Sequence, residues 1–187
     1  TPDEVKGAMG VVFFAETVSK PNTEVAIKFV NLTSKYPDEN YKRLTREAEF
    51  LQDMQKNKEF DQKNIVGYVD ESVDREREKF FIVLQKLQGQ DLDKEVGTAP
   101  IPEETIIKFS RDIAIALQHM HGCLDVDPPF LIHRDLKPEN IMVVTRNGEE
   151  HCIVIDLGTG KKGISERPMT VGPYTPGWSC GHNSLNP

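Results

Sequence analysis

"IHRDLKPENIMVV", from Ile132 to Val144, sets His133, Arg134, Asp135, Lys137, Glu139 and Asn140 between apolar runs on both sides. Charges beside a core are costly unless they are paired or put to use. The plainest interpretation is a solvated loop joining two structural elements. Whether this loop is arbitrary depends on what the rest of the chain brings to it.

Immediately downstream, "IMVVTRNGEEHCIVID" reads as a hairpin turning at Asn147-Gly148, which returns the chain to a second acid, Asp156. Upstream, the spacing predicts a long helix from Pro102 to about His121. Proline suits a first helical position, Glu103 and Glu104 suit the first turn, and Ile106, Phe109, Ile113, Leu117 and Met120 form an apolar stripe that Gly122 ends. The first half differs in character. "VVFFAETVSKPNTEVAIKFV" (Val11 to Val30) gives two strands about a turn-rich "SKPNTE", and "NIVGYVDES" and "KFFIVLQKL" give two more around the charged "VDRERE". Between these pairs, "PDENYKRLTREAEFLQDMQK" predicts a helix with Asp38 or Asn40 as cap and a stripe of Tyr41, Leu44, Ala48, Leu51 and Met54. From Leu157 onward Gly and Pro dominate, with no further periodic segment. The order predicts an α+β, bilobal fold: a β-rich first lobe with one helix, then a helical second lobe, joined near Gln85 to Gln88.

Two charges fall on faces that should be apolar. In the strand Val25 to Val30, Lys28 shares a face with Ala26 and Val30, and in the following helix Glu47 lies on the apolar stripe. Each alone would be an unpaired buried charge; together they can neutralise each other. A structural salt bridge and a functional pair remain equally good readings of these two residues. Just upstream, Gly7 and Gly10 in "KGAMGVVF" permit close backbone approach to an anion such as a phosphate.

Composition narrows the field. The chain has 187 residues, 37% hydrophobic and 28% charged, which is ordinary for a globular protein and enough for one full core or two small lobes. Its net charge of -7, with 23 basic residues interspersed among 30 acids, argues against a nucleic-acid partner. Cys123, Cys152 and Cys180 are too few and too scattered for a disulfide framework or a zinc site. No run approaches the roughly 18 apolar residues of a membrane span, and the N-terminus lacks a signal-peptide profile. No membrane partner is expected, and the expected location is the cytoplasm or nucleus.

The ordered set "GAMGVV", "VAIK", Glu47, "HRDLKPEN" and "DLG" resembles a eukaryotic-type protein kinase over essentially the whole chain, and Lys137 resembles the serine/threonine class. The resemblance implies an N-lobe over residues 1–84, a hinge over 85–90 and the first part of a C-lobe over 91–187. It implies ATP and Mg2+ as cofactors and a protein substrate with a Ser or Thr acceptor. Gly7 and Gly10 would then cover the ATP phosphates, and Lys28, held by Glu47, would contact them. Val12, Ala26 and Met142 would sandwich the adenine, with Leu84 as gatekeeper and Gln85 to Leu87 offering backbone hydrogen bonds to the base. Asp91 falls where a ribose-binding acid is common. Asp135 would take the proton of the substrate hydroxyl, Lys137 would neutralise the transferred phosphoryl group, and Asn140 and Asp156 would hold the metal. Arg134 resembles kinases whose activation loop is ordered by phosphorylation, with Thr170, then Ser165, as acceptors for an upstream kinase. Tyr68, Leu51, His133 and Leu157 match the family's internal apolar spine.

The pattern also departs from the family. Val5 replaces the first loop glycine, and so little precedes it that the first strand is expected to be missing. Leu157 replaces the usual Phe, and in "YTPGWSCGH" Gly181 and His182 occupy positions where the family carries Pro and Glu. The helices that normally complete the C-lobe would follow Pro187, so the resemblance implies a domain truncated after its activation segment. Two alternatives stand beside an active enzyme: a catalytically weak nucleotide-binding or scaffolding kinase-like protein, and a small-molecule kinase of related fold.

Overall fold

The computed structural model describes residues 4–7, 10–18, 23–31, 37–56, 64–74, 76, 79–97, 100–122, 131–157 and 161–162. Strands β1 (Glu4–Gly7), β2 (Gly10–Glu16), β3 (Glu24–Asn31), β4 (Tyr68–Asp74) and β5 (Lys79–Gln85) form one antiparallel sheet in the order β1-β2-β3-β5-β4. Period-two alternation explains its faces. Along β5, Phe80, Ile82 and Leu84 are buried while Phe81 and Val83 are half-buried. Helix α1 (Pro37–Lys56) buries Leu44, Ala48, Phe50, Leu51 and Met54, and Tyr41 meets the Phe80 ring edge-on at 5.1 Å. Each large apolar side chain so buried contributes about 1.5–3 kcal/mol.

The second part begins with a short strand β6 (Gly89–Asp91) and helix α2 (Leu92–Val96), followed by the long helix α3 (Glu103–Gly122) and β7 (Leu131–Ile132). Strands β8 (Ile141–Arg146) and β9 (Glu149–Val154) make the expected hairpin, and β10 (Lys161–Lys162) pairs with β7. Asn147 (φ 53°) and Gly148 (φ 81°) both adopt the left-handed conformation that a two-residue hairpin turn requires. Among the described residues no strand beyond the single parallel bridge of Ile65 to Val154 lies along the outer edge of β9, and other elements satisfy its polar groups. The Asp112 carboxylate of α3 accepts the Cys152 amide at 2.9 Å, Asn64 donates to the Cys152 carbonyl at 3.0 Å, and the Val66 amide donates to the Val154 carbonyl at 3.0 Å. One apolar cluster runs through both parts, from Leu44, Leu51 and Ile82 to Ala116, Met120, Val154 and Leu157.

Three expectations need correction. The first strand is present, as the four residues of β1, because backbone pairing of Glu4–Gly7 with Gly10–Phe13 does not depend on a glycine at position 5. Helix α1 starts at Pro37, so Asp38 and Asn40 lie in its first turn and are not caps. The buried line of α3 is Phe109, Asp112, Ala116 and Met120, whereas Ile106 is 48% exposed. The line turns toward Asp112 because its carboxylate holds the Cys152 amide. The segment "GQDLDKEV", for which the sequence offers no apolar periodicity, forms β6 and α2: pairing of Gly89, Gln90 and Asp91 with Val144, Val143 and Met142 creates the strand from outside the segment.

Gly89 lies hard against β8. A Cβ placed there would stand 1.9 Å from the Val143 carbonyl oxygen, which is backbone and has little freedom to yield. Gly89→Ala is therefore expected to destabilise the domain by about 3 kcal/mol. A urea midpoint equal to that of the wild type would show that β6 does not lie so closely on β8.

Candidate active site

The geometry begins at Lys28. Strand β2 sets Val12 directly across from Lys28, and β5 sets Leu84 across from Ala26, so Val12, Ala26, Lys28 and the buried Leu84 share one face of the first sheet. The Lys28 ammonium lies 2.6 Å from Glu47 of α1 and 3.0 Å from Asp156. Burial pulls the lysine pKa down, but the two carboxylates more than offset it, and the net displacement is upward, which keeps the ammonium charged. Glu47, only 1% exposed, is pushed upward by burial and pulled back in part by Lys28. The predicted pair forms, and Asp156 joins it as a third member.

The loop from His133 to Asn140 is built from its backbone outward. His133 is buried, and the Asp135 amide donates to its Nδ1 at 3.4 Å, which leaves the proton on Nε2, facing the Ile155 carbonyl at 3.3 Å. Burial lowers the His133 pKa, in keeping with this neutral ring. The Asn140 amide nitrogen donates to the Asp135 carbonyl at 2.8 Å and to the Asp135 carboxylate at 3.3 Å. Lys137 lies 3.2 Å from the same carboxylate. The Ile155 amide then donates to the Asn140 carbonyl at 2.9 Å, so the segment carrying Asp156 is fastened to the segment carrying Asp135. Arg134 (φ 67°) and Asp156 (φ 62°) both hold left-handed backbone conformations that non-glycine residues rarely adopt. Such strain persists where the surroundings fix the chain, here through His133, Asn140 and Lys28.

Asn140 and Asp156 suit a hard divalent cation. The Asn140 nitrogen is spent on Asp135, so its amide oxygen is the atom left to face a metal, and Asp156 adds a carboxylate. Among the described residues no group of three or more His, Cys, Asp or Glu forms a metal cluster, so this pair would need phosphate oxygens or water to complete a coordination shell.

Other predicted residues fall as follows. Gly7 and Gly10 pair across the tip of the β1–β2 hairpin. Met142 on β8 is opposite Asp91 and Ile153 and packs against the main apolar cluster. The Gln85 amide donates to the Gly67 carbonyl at 2.8 Å, so of its two backbone groups only the carbonyl can serve a ligand, while Leu87 is half-buried beside the core. Asp91 caps α2, accepting from the Lys94 amide at 2.9 Å and pairing with the Lys94 ammonium. Burial raises its pKa, but these contacts outweigh it and hold the carboxyl below its ordinary value. Leu51, His133 and Leu157 are buried, with Tyr68 packed at the edge of the same cluster. Thr170, Ser165, Gly181 and His182 lie outside the described residues.

Sequence reasoning missed two features. Burial and the nearby Arg46 and Arg43 guanidiniums draw Arg134 below its ordinary pKa, so three guanidiniums share one neighbourhood. The signal was the spacing of three between Arg43 and Arg46 on α1, one residue short of Glu47. The second is the Asn64 and Asp112 anchorage of β9, which no periodicity reveals.

The sequence matches the model of the protein kinase domain over residues 6–181. The chain belongs to the protein kinase family. Its relatives include the serine/threonine-protein kinase Pkn1 of Myxococcus xanthus, 29% identical over 166 residues, which takes in 88% of this chain and 22% of that protein. A calcium/calmodulin-dependent protein kinase of Metarhizium anisopliae is 32% identical over 169 residues, with 88% of this chain and 39% of the relative covered. The calcium-dependent protein kinase 5 of Plasmodium falciparum is 31% identical over 173 residues, with 91% and 27% covered. The kinase domain described here thus spans between about a fifth and two-fifths of the length of these relatives. It has the β-rich N-lobe and α+β architecture expected of the family. Among its described residues no helix is long and apolar enough to cross a membrane.

Proposed function

We propose that this chain is the catalytic domain of a serine/threonine protein kinase, which transfers the γ-phosphoryl group of ATP to a Ser or Thr hydroxyl of a protein. The observation that carries this reading is the Lys28 ammonium held between Glu47 and Asp156 at 2.6 and 3.0 Å, with Asp156 fastened through Ile155 and Asn140 to Asp135. Two acids, an amide and two lysines around one space suit phosphoryl transfer, in which alignment and neutralisation of spread negative charge matter more than covalent chemistry by the protein. The N-lobe would be residues 1–84, the hinge 85–90 and the C-lobe 91–187.

In this reading the backbone at Gly7 and Gly10 approaches the phosphates of ATP, and the Lys28 ammonium contacts the α- and β-phosphates. Val12, Ala26 and Met142 enclose the adenine, Leu84 limits the depth of the pocket, and the Gln85 carbonyl and Leu87 backbone bind the base edge. Asp91 can reach a ribose hydroxyl only by sharing a carboxylate that already caps α2. Asp135 orients the substrate hydroxyl and accepts its proton at a carboxylate oxygen, while Lys137 faces the transferred group. Asn140 and Asp156 would hold Mg2+, which when bound supplies charge neutralisation at the phosphates. Arg134, with Arg43 and Arg46, would receive the phosphate that an upstream kinase adds to Thr170 or Ser165. A supply of ATP and of protein substrates favours the cytoplasm or nucleus.

The test is transfer from γ-labelled ATP to a generic basic protein, followed by phosphoamino-acid analysis. Label on Ser and Thr, dependent on magnesium, is expected. Label mainly on Tyr would overturn the class, and nucleotide binding without transfer would favour a scaffolding role.

A further inference from the structure

Glu24 opens β3, two residues before Ala26 and four before Lys28, and so lies on the face of the sheet that carries the lysine. Its carboxylate is shared by two side chains of the hinge. The Lys86 ammonium lies 2.6 Å from Oε1, and the Gln88 amide donates to Oε2 at 3.3 Å. The same ammonium sits 4.9 Å above the ring of Phe14, which is opposite Ala26 on β2 and therefore on the same face. Lys86 is thus gripped by two strands of the N-lobe, an ion pair from one and a ring face from the other. Gln88 belongs mechanically to the other side. It precedes Gly89, whose backbone is pressed so closely on Val143 that β6 must move with β8.

We infer that Glu24 is a positioning residue that spans N-lobe, hinge and C-lobe, fixing the hinge path and holding the two lobes at the angle a nucleotide needs. Rotation of one lobe against the other has to separate Gln88 from Glu24, and relaxation of the hinge has to free Lys86. The backbone between Gln85 and Leu87 thereby keeps a fixed course beneath the strands. The Lys86 ammonium also holds the Glu24 carboxyl below its ordinary pKa, so the clamp stays charged at neutral pH. The inference rests on the nucleotide reading above and adds to it a residue that touches neither ATP nor substrate.

The experiment compares the wild type with Glu24→Ala, Glu24→Lys and the charge swap Glu24→Lys/Lys86→Glu. Two readouts are taken: hydrogen exchange of the nucleotide-free protein, and the KM for ATP with kcat. Glu24→Ala is expected to raise the KM about threefold with kcat little changed, the scale of a partly exposed ion pair. Glu24→Lys sets like charges together and should raise it about tenfold, and the swap should return it to within about twofold of the wild type. Exchange at residues 85–91 should rise and recover in the same order, while β8 and β9 stay protected. Indifference of both readouts to Glu24→Lys would overturn the clamp. So would faster exchange across the whole core, which is what a merely structural residue produces. If hinge exchange follows the swap but the wild type binds no ATP, the nucleotide reading fails and the clamp stands. If ATP binds but neither readout responds to Glu24→Lys, the clamp fails and the nucleotide reading stands.

Discussion

Asp156→Asn is expected to lower phosphoryl transfer by roughly a thousandfold or more while leaving the fold intact. The substitution removes one negative charge and almost no volume. Asparagine is also among the few residues that tolerate the left-handed backbone found at this position (φ 62°), so the strain does not grow. Lys28 keeps Glu47 at 2.6 Å as its partner. Asp156 is moreover one of the charges that push the Glu47 carboxyl upward, so its neutralisation relieves a repulsion. The weakened 3.0 Å contact of Lys28 with residue 156 works against that relief, so the thermal midpoint should stay close to that of the wild type, and magnesium should no longer enhance the thermal shift produced by ADP. Unchanged turnover, or an unchanged magnesium response, would refute Asp156 as a metal ligand.

Lys28→Met removes the other half of the arrangement, and its effect on stability should depend on pH. Glu47 is left 1% exposed, without its cation and with Asp156 still nearby. Breaking a buried pair in this way costs about 3–5 kcal/mol when the remaining charge stays ionised. Loss of Lys28 removes the main influence that lowers the Glu47 pKa, so its folded-state value moves further above the ordinary 4.5. A folded pKa raised above the unfolded value gives stability that is present below the unfolded pKa and lost as pH rises through the folded one. The deficit of the variant should thus be greatest near pH 7.5 and shrink toward pH 5, measured by urea midpoints at both. Adding Glu47→Gln should recover stability at pH 7.5 without recovering transfer. A deficit independent of pH, or retained phosphoryl transfer, would dismiss the pairing.

Lys28 and Glu47 were legible from the sequence because each breaks a strong period. A lysine among Ala26 and Val30, and a glutamate between Leu44 and Ala48, each call for a partner on the pattern of the sequence alone. The long helices and the Asn147-Gly148 hairpin were legible for the same local reason. Features made by contact between distant segments were not. The strand β6 exists because β8 lies beside it, and Asp112 is buried because an amide forty residues away needs an acceptor. The grouping of Arg43 and Arg46 with Arg134 likewise joins a helix of the first lobe to a loop of the second.

The anchorage of β9 bears on when the domain becomes competent during synthesis. The peptide of Cys152 is held by Asn64, 88 residues earlier in the chain, and by Asp112, 40 residues earlier. Contacts of such separation form late, since a long loop must close before they repay its entropy. A nascent chain can therefore shape its first sheet and α1 on the ribosome while Asp156 still lacks a fixed position. The segment carrying Asp156 is thus expected to gain its fixed position late, when β9 docks on Asn64 and Asp112.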